Sequence, residues 1–410
     1  MTCCLRCTGC RSSFGPESDL LLCPDCDNLL NPVYDLAGLK RDLGQLSWDR
    51  RAATIWKWRE LLPVLDFSNI VSLGEGGSPL LPCETLAREA GVAAFYVLDD
   101  GSAMPTGSLK DRSIAVSATK AVELGYDILS CDSTGNKGAS MAAYAARAGL
   151  RSVVFCPWDT PLPKMAQALF HGARVVRVRG HYSEVNAMYR RLIRSGLVRW
   201  YDCGTDNPFR YEGKKTYAYE IAEALSGRAP TKIFHPAAGC MSLVKMRKGF
   251  EELRFLGLVD AVPALVACQA EACAPIVRAW ESSAETVAGV EKGSTVASAI
   301  AVANPGLLGN ATLEALRATK GSAVAVSDEE LLEVWRELGR VGIFTEPSAA
   351  ISVAGALALA KSKKLTPDDV VVAIVTGTGF KDIETLMKHV VVPEDSVQSY
   401  EELEAVAVSL

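Results

Sequence analysis

From Ala94 onward the chain alternates short, β-branched apolar runs with longer stretches in which apolar residues recur at helical spacing. Ala94 to Leu98 reads as a strand, Asp111 to Leu124 as a helix, Asp127 to Cys131 as a strand and Gly138 to Ala148 as a helix. Ser152 to Cys156 then reads as a strand, Pro163 to His171 as a helix, Arg174 to Val178 as a strand and Tyr182 to Ser195 as a helix. A second series follows: helix Thr216 to Leu225, strand Lys232 to His235, helix Leu243 to Leu256, strand Ala264 to Gln269, helix Glu329 to Val341 and strand Val370 to Val375. Upstream, Tyr34 to Arg51 reads as a helix and connector, and Trp56 to Pro63 as a helical turn ended by proline.

Strands separated by helices predict parallel sheets with right-handed crossovers. The pattern therefore predicts an α/β chain of two doubly wound units, one inserted in the other. The divisions expected are a cysteine-rich module over 1–34, a large domain over 35–104 and 217–392, a smaller inserted domain over 105–216, and an acidic tail over 393–410. In open α/β sheets the ligand crevice lies at the carboxyl ends of the strands. The loops after these strands are where chemistry is to be sought.

Composition narrows the class. At 410 residues, 49% hydrophobic, 22% charged and with net charge -5, the chain has the make-up of a soluble globular enzyme or binding protein. Nothing in its charge balance points to nucleic acid. Its longest apolar runs, such as Val370 to Val375 and Ala261 to Cys268, fall well short of the roughly 20 residues that cross a bilayer. The first residues lack a basic region followed by an apolar one, so no secretory signal is visible and the cytoplasm is the expected compartment.

Of 13 cysteines, six fall within the first 26 residues. Two Cys-x-x-Cys knuckles, Cys7 with Cys10 and Cys23 with Cys26, are separated by 12 residues, a spacing that lets four thiolates meet tetrahedrally around Zn²⁺ in a ribbon. Gly9, Gly15 and Pro24 supply the turns, and Cys3 and Cys4 are spare thiols. A closed four-thiolate site is structural, because it leaves no position open for substrate.

The chemical candidates follow strands. Pro105-Thr106-Gly107-Ser108-Leu109-Lys110-Asp111-Arg112 sets one lysine between a small-residue turn and an acid-base pair. A desolvated lysine with a lowered pKa becomes a nucleophile toward aldehydes. Ser133-Thr134-Gly135-Asn136-Lys137-Gly138 opens a helix, where backbone N–H groups bind carboxylate or phosphate. Ala237-Ala238-Gly239-Cys240-Met241-Ser242 is a second such turn, a phosphate-loop candidate with one glycine. Thr376-Gly377-Thr378-Gly379-Phe380-Lys381-Asp382 leaves the last apolar strand with a hydroxyl suited to a neutral heterocyclic nitrogen. Asn207-Pro208-Phe209-Arg210-Tyr211-Glu212-Gly213-Lys214-Lys215-Thr216 gathers three cations before a helix, and arginine's planar fork suits phosphate or carboxylate.

In their order along the chain the motifs, with Glu346-Pro347-Ser348-Ala349-Ala350 and Gly74-Glu75-Gly76-Gly77-Ser78-Pro79-Leu80, resemble those of the threonine synthases among the fold-type II (tryptophan synthase β-like) pyridoxal-phosphate enzymes, over about residues 1–390. The cysteine ribbon is also seen in part of that family. The resemblance implies that Lys110 is the Schiff-base lysine and the base for the α-proton, and that Asn136 faces the 3'-oxygen of pyridoxal 5'-phosphate. It further implies that Thr376 meets the pyridine nitrogen, that Ala238, Gly239, Cys240, Met241 and Ser242 form the phosphate cup, and that Ser133 and Thr134 hold the substrate carboxylate. Arg210 and Lys215 match positions near the leaving phosphate. A homodimer is common among such relatives, and no nucleic-acid or membrane partner is implied.

Two departures bear on substrate. The family's cup is usually a run of glycines ending in asparagine, whereas here it is Ala238-Gly239-Cys240-Met241-Ser242. Lys137 also stands where threonine usually follows the asparagine, a cation that would suit an additional anionic group. The expected reaction is elimination of phosphate from O-phosphohomoserine and addition of water to give threonine. The alternative is replacement on a phosphorylated amino acid with another nucleophile, as in a cysteate synthase acting on O-phosphoserine and sulfite.

Overall fold

The protein is described here from a computed structural model covering residues 2–46, 48–291, 293–391 and 396–409, with side chains from residue 4 onward. Three sheets organise it. The amino-terminal module is a three-stranded antiparallel sheet with Thr2–Cys7 in the centre, flanked by Ser13–Phe14 and Leu30–Tyr34. A six-stranded sheet runs in the order Ser322–Val326, Ala264–Ala270, Lys232–Pro236, Val370–Val375, Ala94–Asp99, Leu80–Pro82. All its pairings are parallel except the last. A four-stranded parallel sheet runs in the order Arg174–Val178, Arg151–Pro157, Ile128–Asp132, Tyr201–Asp202.

The central strand Val370–Val375 of the large sheet is apolar along its whole length because both faces of the sheet are covered. One face packs on Tyr217, Leu243, Met246 and Phe250, the other on Ala350, Ile351, Val353 and Leu357. Helix Pro347–Lys361, which supplies the second set, is apolar all round and so carries no helical stripe in the sequence. That helix, strand Ser322–Val326 and helices Pro275–Glu281 and Gly306–Ala318 are elements that the hydrophobic pattern left unassigned. The elements that were assigned form within a few residues of their expected limits, among them helices Lys110–Glu123, Asn136–Arg147 and Met241–Leu256.

The amino-terminal module is tied to the body by its own small core, in which Leu5, Cys7, Cys23 and Leu30 enclose Phe209. Tyr34 Oη donates to Glu212 at 2.7 Å, and Asn31 Oδ1 accepts from Lys245 Nζ at 2.6 Å. At the other end, the expected tail begins at Pro393, outside the described residues, and Tyr400–Ser409 forms an exposed helix. No helix among the described residues is long and apolar enough to cross a membrane.

Candidate active site

The loops singled out above converge on one cavity of about 770 Å³, within the roughly 300–1,000 Å³ usual for small-molecule sites. Lys110 stands on its wall as the first residue of helix Lys110–Glu123. The loop that delivers it is stapled to the strand-end loop Thr376–Thr378. Leu109 N donates to Thr376 O at 2.8 Å, Thr378 N donates to Gly107 O at 3.0 Å, and Ser108 bridges Gly377. Gly107 has φ +76, and a Cβ there would come within 2.7 Å of Thr378 Cγ2, so only glycine allows this approach.

The acid-base pair after Lys110 is structural. Asp111 accepts from Thr106 N at 2.7 Å, from Thr106 Oγ1 at 2.6 Å and from Ser140 Oγ, which closes the turn before the helix. Arg112 is fully buried, pairs with Asp100 at 2.8 Å and Glu220 at 2.6 Å, donates to Ser78 Oγ at 2.8 Å, and lies over the Tyr217 ring. It thereby binds the Gly74–Leu80 segment to the core. Lys110 itself is half-buried and has neither a carboxylate nor a hydrogen-bond partner among the described residues. Burial lowers its pKa to about 8, with Arg210, Lys137 and Lys381 acting in the same direction and Glu346 opposing them.

Asn136, at the start of helix Asn136–Arg147, lines the cavity and donates from Nδ2 to Glu346 Oε1 at 3.3 Å. Ser133 and Thr134 line it too, but the Ser133 hydroxyl already accepts from Gly135 N at 3.1 Å and Gly138 N at 2.9 Å, in the turn that leads into that helix. Lys137 reaches the cavity wall with its charge paired: Asp132 Oδ1 accepts from its Nζ at 2.7 Å. Asp132 is held in turn by Tyr182 Oη and Asn186 Nδ2, each at 2.8 Å. This pairing keeps the Asp132 carboxyl below its ordinary range despite burial and holds Lys137 above its own.

Arg210 lines the cavity, donates to Gly204 O at 2.7 Å, and keeps a buried Nε with no partner among the described residues. Lys215 requires a correction. It is fully buried away from the cavity, 3.0 Å from Glu212 and 2.9 Å from Glu252, over the Tyr34 ring. Arg210–Lys215 is a 3-10 helix, with about 120° between successive residues, so the residue that faces the cavity is Lys214 and its neighbour points into the core.

Of the expected cup, Ala238, Gly239, Cys240 and Met241 line the cavity, while Ser242 is buried in the first turn of helix Met241–Leu256. Cys240 adopts the left-handed conformation, φ 50, which turns the chain into the helix. Thr376 is buried with its carbonyl accepting from Leu109 N, and Thr378 of the same segment lines the cavity. The sequence motifs gave no role to Glu346, a buried carboxylate of the cavity, or to Lys381, which donates to Thr106 O at 3.1 Å and Gln167 Oε1 at 2.7 Å. Both lie inside motifs already recognised, Glu346-Pro347 and Gly379-Phe380-Lys381, where a charge next to a turn was the available signal.

Away from this cavity, Cys7, Cys10, Cys23 and Cys26 bring their sulfurs within 4.8 Å of one another, with Cys7 and Cys26 at 3.4 Å and Cys10 and Cys23 at 3.6 Å. Tetrahedral Zn–S bonds of about 2.3 Å would set sulfurs roughly 3.8 Å apart, so the four thiols fit such an ion. Cys4 is outside this cluster, and the Cys3 side chain lies outside the described residues.

An unpaired amine with a lowered pKa, a helix amino-terminus with a left-handed turn and a ring of cations make a cavity fitted to an aldehyde that carries a phosphate. Comparison with known proteins agrees. Residues 71–377 match the family described as pyridoxal-phosphate dependent enzyme. The threonine synthase of Methanocaldococcus jannaschii is 37% identical over 385 residues, covering 93% of this chain and 94% of that protein. The threonine synthase of Methanosarcina acetivorans is 38% identical over 387 residues, covering 93% of each. In three dimensions the chain is similar to maize serine racemase, with TM-score 0.64 at 14% identity over 88% of this chain and 100% of that one. It is likewise similar to threonine deaminase isoform 2 from Solanum lycopersicum, with TM-score 0.62 at 18% identity over 81% and 82%.

Proposed function

The chain belongs to the threonine synthase family of pyridoxal-phosphate-dependent lyases, and from that premise we propose that it converts O-phosphohomoserine to threonine by eliminating phosphate and adding water. The observation that carries the substrate is the arc of cations on the cavity wall beside Lys110, formed by Lys137, Arg210, Lys214 and Lys381. Pyridoxal phosphate, when bound, supplies the electron sink for the carbanion at Cα.

The chain's own residues do the rest. Lys110 supplies the free amine that carries the cofactor and the base that moves the Cα proton, and its setting keeps that amine available near neutral pH. Asn136 presents its amide to the ring oxygen, the hydroxyl-bearing loop Thr376–Thr378 meets the ring nitrogen, and backbone N–H groups of Ala238 to Met241 receive the phosphate. The amino-terminus of helix Asn136–Arg147, with Ser133 and Thr134, receives the substrate carboxylate. Arg210 draws off charge as phosphate leaves. In the cysteine module, Cys7, Cys10, Cys23 and Cys26 hold a structural Zn²⁺.

Replacement by an anionic nucleophile would draw on Lys137, but Asp132 at 2.7 Å already neutralises that cation, which favours water. The test is to incubate the holoenzyme separately with O-phosphohomoserine and O-phosphoserine, with and without sulfite, and to measure phosphate and the amino-acid product. Threonine from phosphohomoserine is expected. No threonine, together with a new product from phosphoserine, refutes the reading.

A further inference from the structure

Apart from Lys110, Lys214 is the only lysine lining the cavity that has neither a carboxylate nor a hydrogen-bond acceptor among the described residues. Lys137 is paired with Asp132 at 2.7 Å, Lys381 donates to Thr106 O at 3.1 Å and Gln167 Oε1 at 2.7 Å, and Lys164 reaches Ser298 Oγ at 3.5 Å. Lys214 lines the same cavity at 7% exposure with no carboxylate or hydrogen-bond acceptor among the described residues, its ammonium standing 5.7 Å from the Tyr211 ring. Burial holds its pKa well below the ordinary lysine value, with Lys110 and Arg210 adding to the effect and Cys240 and Asp100 opposing it. A desolvated cation without a partner is costly, and a site that keeps one is completed by an anion.

The backbone sets where that anion sits. Gly213 lies against helix Lys110–Glu123 so closely that a Cβ would come within 1.7 Å of Arg112 O. The next turn lies against helix Met241–Leu256, where a Cβ on Gly249 would come within 2.7 Å of Lys215 O. Lys214 is therefore clamped between the helix that begins at Lys110 and the helix that begins at the cup. In the cup itself the amides of Ala238, Gly239, Cys240 and Met241 have no hydrogen-bond acceptor among the described residues, and Cys240 is in the left-handed conformation. Successive unpaired N–H groups around a left-handed residue make an anion-binding nest.

We propose that Lys214 holds the phosphate of the cofactor over the glycine-poor turn Ala238–Met241, adding a charged donor to a cup whose backbone is more crowded than a run of glycines. Of the two phosphate monoesters that can enter, the cofactor's is assigned because Lys214 is fixed between the lysine that takes the aldehyde and the turn that takes the phosphate. The inference rests on the pyridoxal-phosphate reading of the cavity.

The test compares wild type, Lys214→Met, Lys214→Gln and Lys214→Arg apoenzymes. Each is titrated with pyridoxal 5'-phosphate and with pyridoxal, which lacks the phosphate, and binding is read from cofactor absorbance. The Met and Gln variants are expected to bind pyridoxal phosphate about 10- to 100-fold more weakly, as loss of a charged hydrogen bond implies, with pyridoxal binding unchanged. The Arg variant keeps most of the phosphate preference. The Met apoenzyme melts no lower than wild type, since Lys214 has no ion pair or hydrogen bond among the described residues to lose. Equal weakening toward both aldehydes, or no weakening, overturns the proposal. So does intact cofactor binding with a raised KM for the phosphorylated amino acid, which would assign Lys214 to the substrate. A wild-type protein that binds no pyridoxal phosphate would instead refute the cofactor reading itself.

Discussion

The lowered pKa of Lys110 predicts how the apoenzyme captures its cofactor as pH changes. Only the unprotonated amine attacks an aldehyde, so the capture rate should follow the free-amine fraction. With a pKa of about 8, set mainly by burial, roughly a tenth of the amine is free at pH 7 and roughly a hundredth at pH 6. The rate constant for capture of pyridoxal, chosen because it lacks a titrating phosphate, should rise about tenfold per pH unit from 6 to 7 and level off above 8. Stopped-flow absorbance on apoenzyme measures it, and Lys110→Ala should show no such phase. Glu346 opposes the lowering, so Glu346→Gln should move the break to lower pH. An amine with the ordinary lysine value of 10.5 would give a rate still climbing tenfold per unit at pH 9, and that result would refute the reasoning. The same shift has a stability counterpart with a definite sign. The unfolded chain binds this proton more tightly than the folded one, so apoenzyme stability should rise as pH increases from about 8 to 10.5, by a limit on the order of 3 kcal/mol, and stay flat for this group below 8.

Asp132→Asn removes the buried partner of Lys137 and should destabilise the protein by about 3–5 kcal/mol in denaturant titration; a change under about 1 kcal/mol would contradict the pairing. Lys215→Met should cost stability on the same scale, by leaving the buried Glu252 without a cation, whereas Arg210→Met should cost only the hydrogen bond to Gly204 O, about 1–3 kcal/mol, and raise KM for the phosphorylated substrate. The reverse outcome would return Lys215 to the site. The double variant Cys23→Ser, Cys26→Ser should contain no zinc by metal analysis, since two thiolates cannot close a tetrahedral site. Because Phe209 sits in the same small core as Cys7 and Cys23 and adjoins Arg210, that variant should also raise KM. Full zinc content would refute the ligand set.

Much of the molecule was legible before its coordinates. Parallel strands such as Val370–Val375 are covered on both faces and so are apolar throughout, and helices such as Asp328–Arg340 have one dry face and one wet one. Lys110, Asn136 and the turn at Ala238 were legible because crossover topology puts the carboxyl ends of the parallel strands of a sheet at one rim, so small-residue turns after those strands mark the site. Helix Pro347–Lys361 was not, because a helix buried all round has no period to read.

What the sequence alone determined was therefore the set of chemical groups and the elements that carry them. What only the tertiary structure decided was which of the charges are spent. Lys137 and Lys214 both lie inside recognised motifs, yet Asp132 neutralises one and nothing among the described residues neutralises the other. Lys214 and Lys215 are adjacent, and the turn of a 3-10 helix sends one to the cavity and the other to Glu212 and Glu252. Local spacing fixes the face on which a residue lies, but its charge state depends on partners that are distant in sequence and meet it only when the sheets and helices pack.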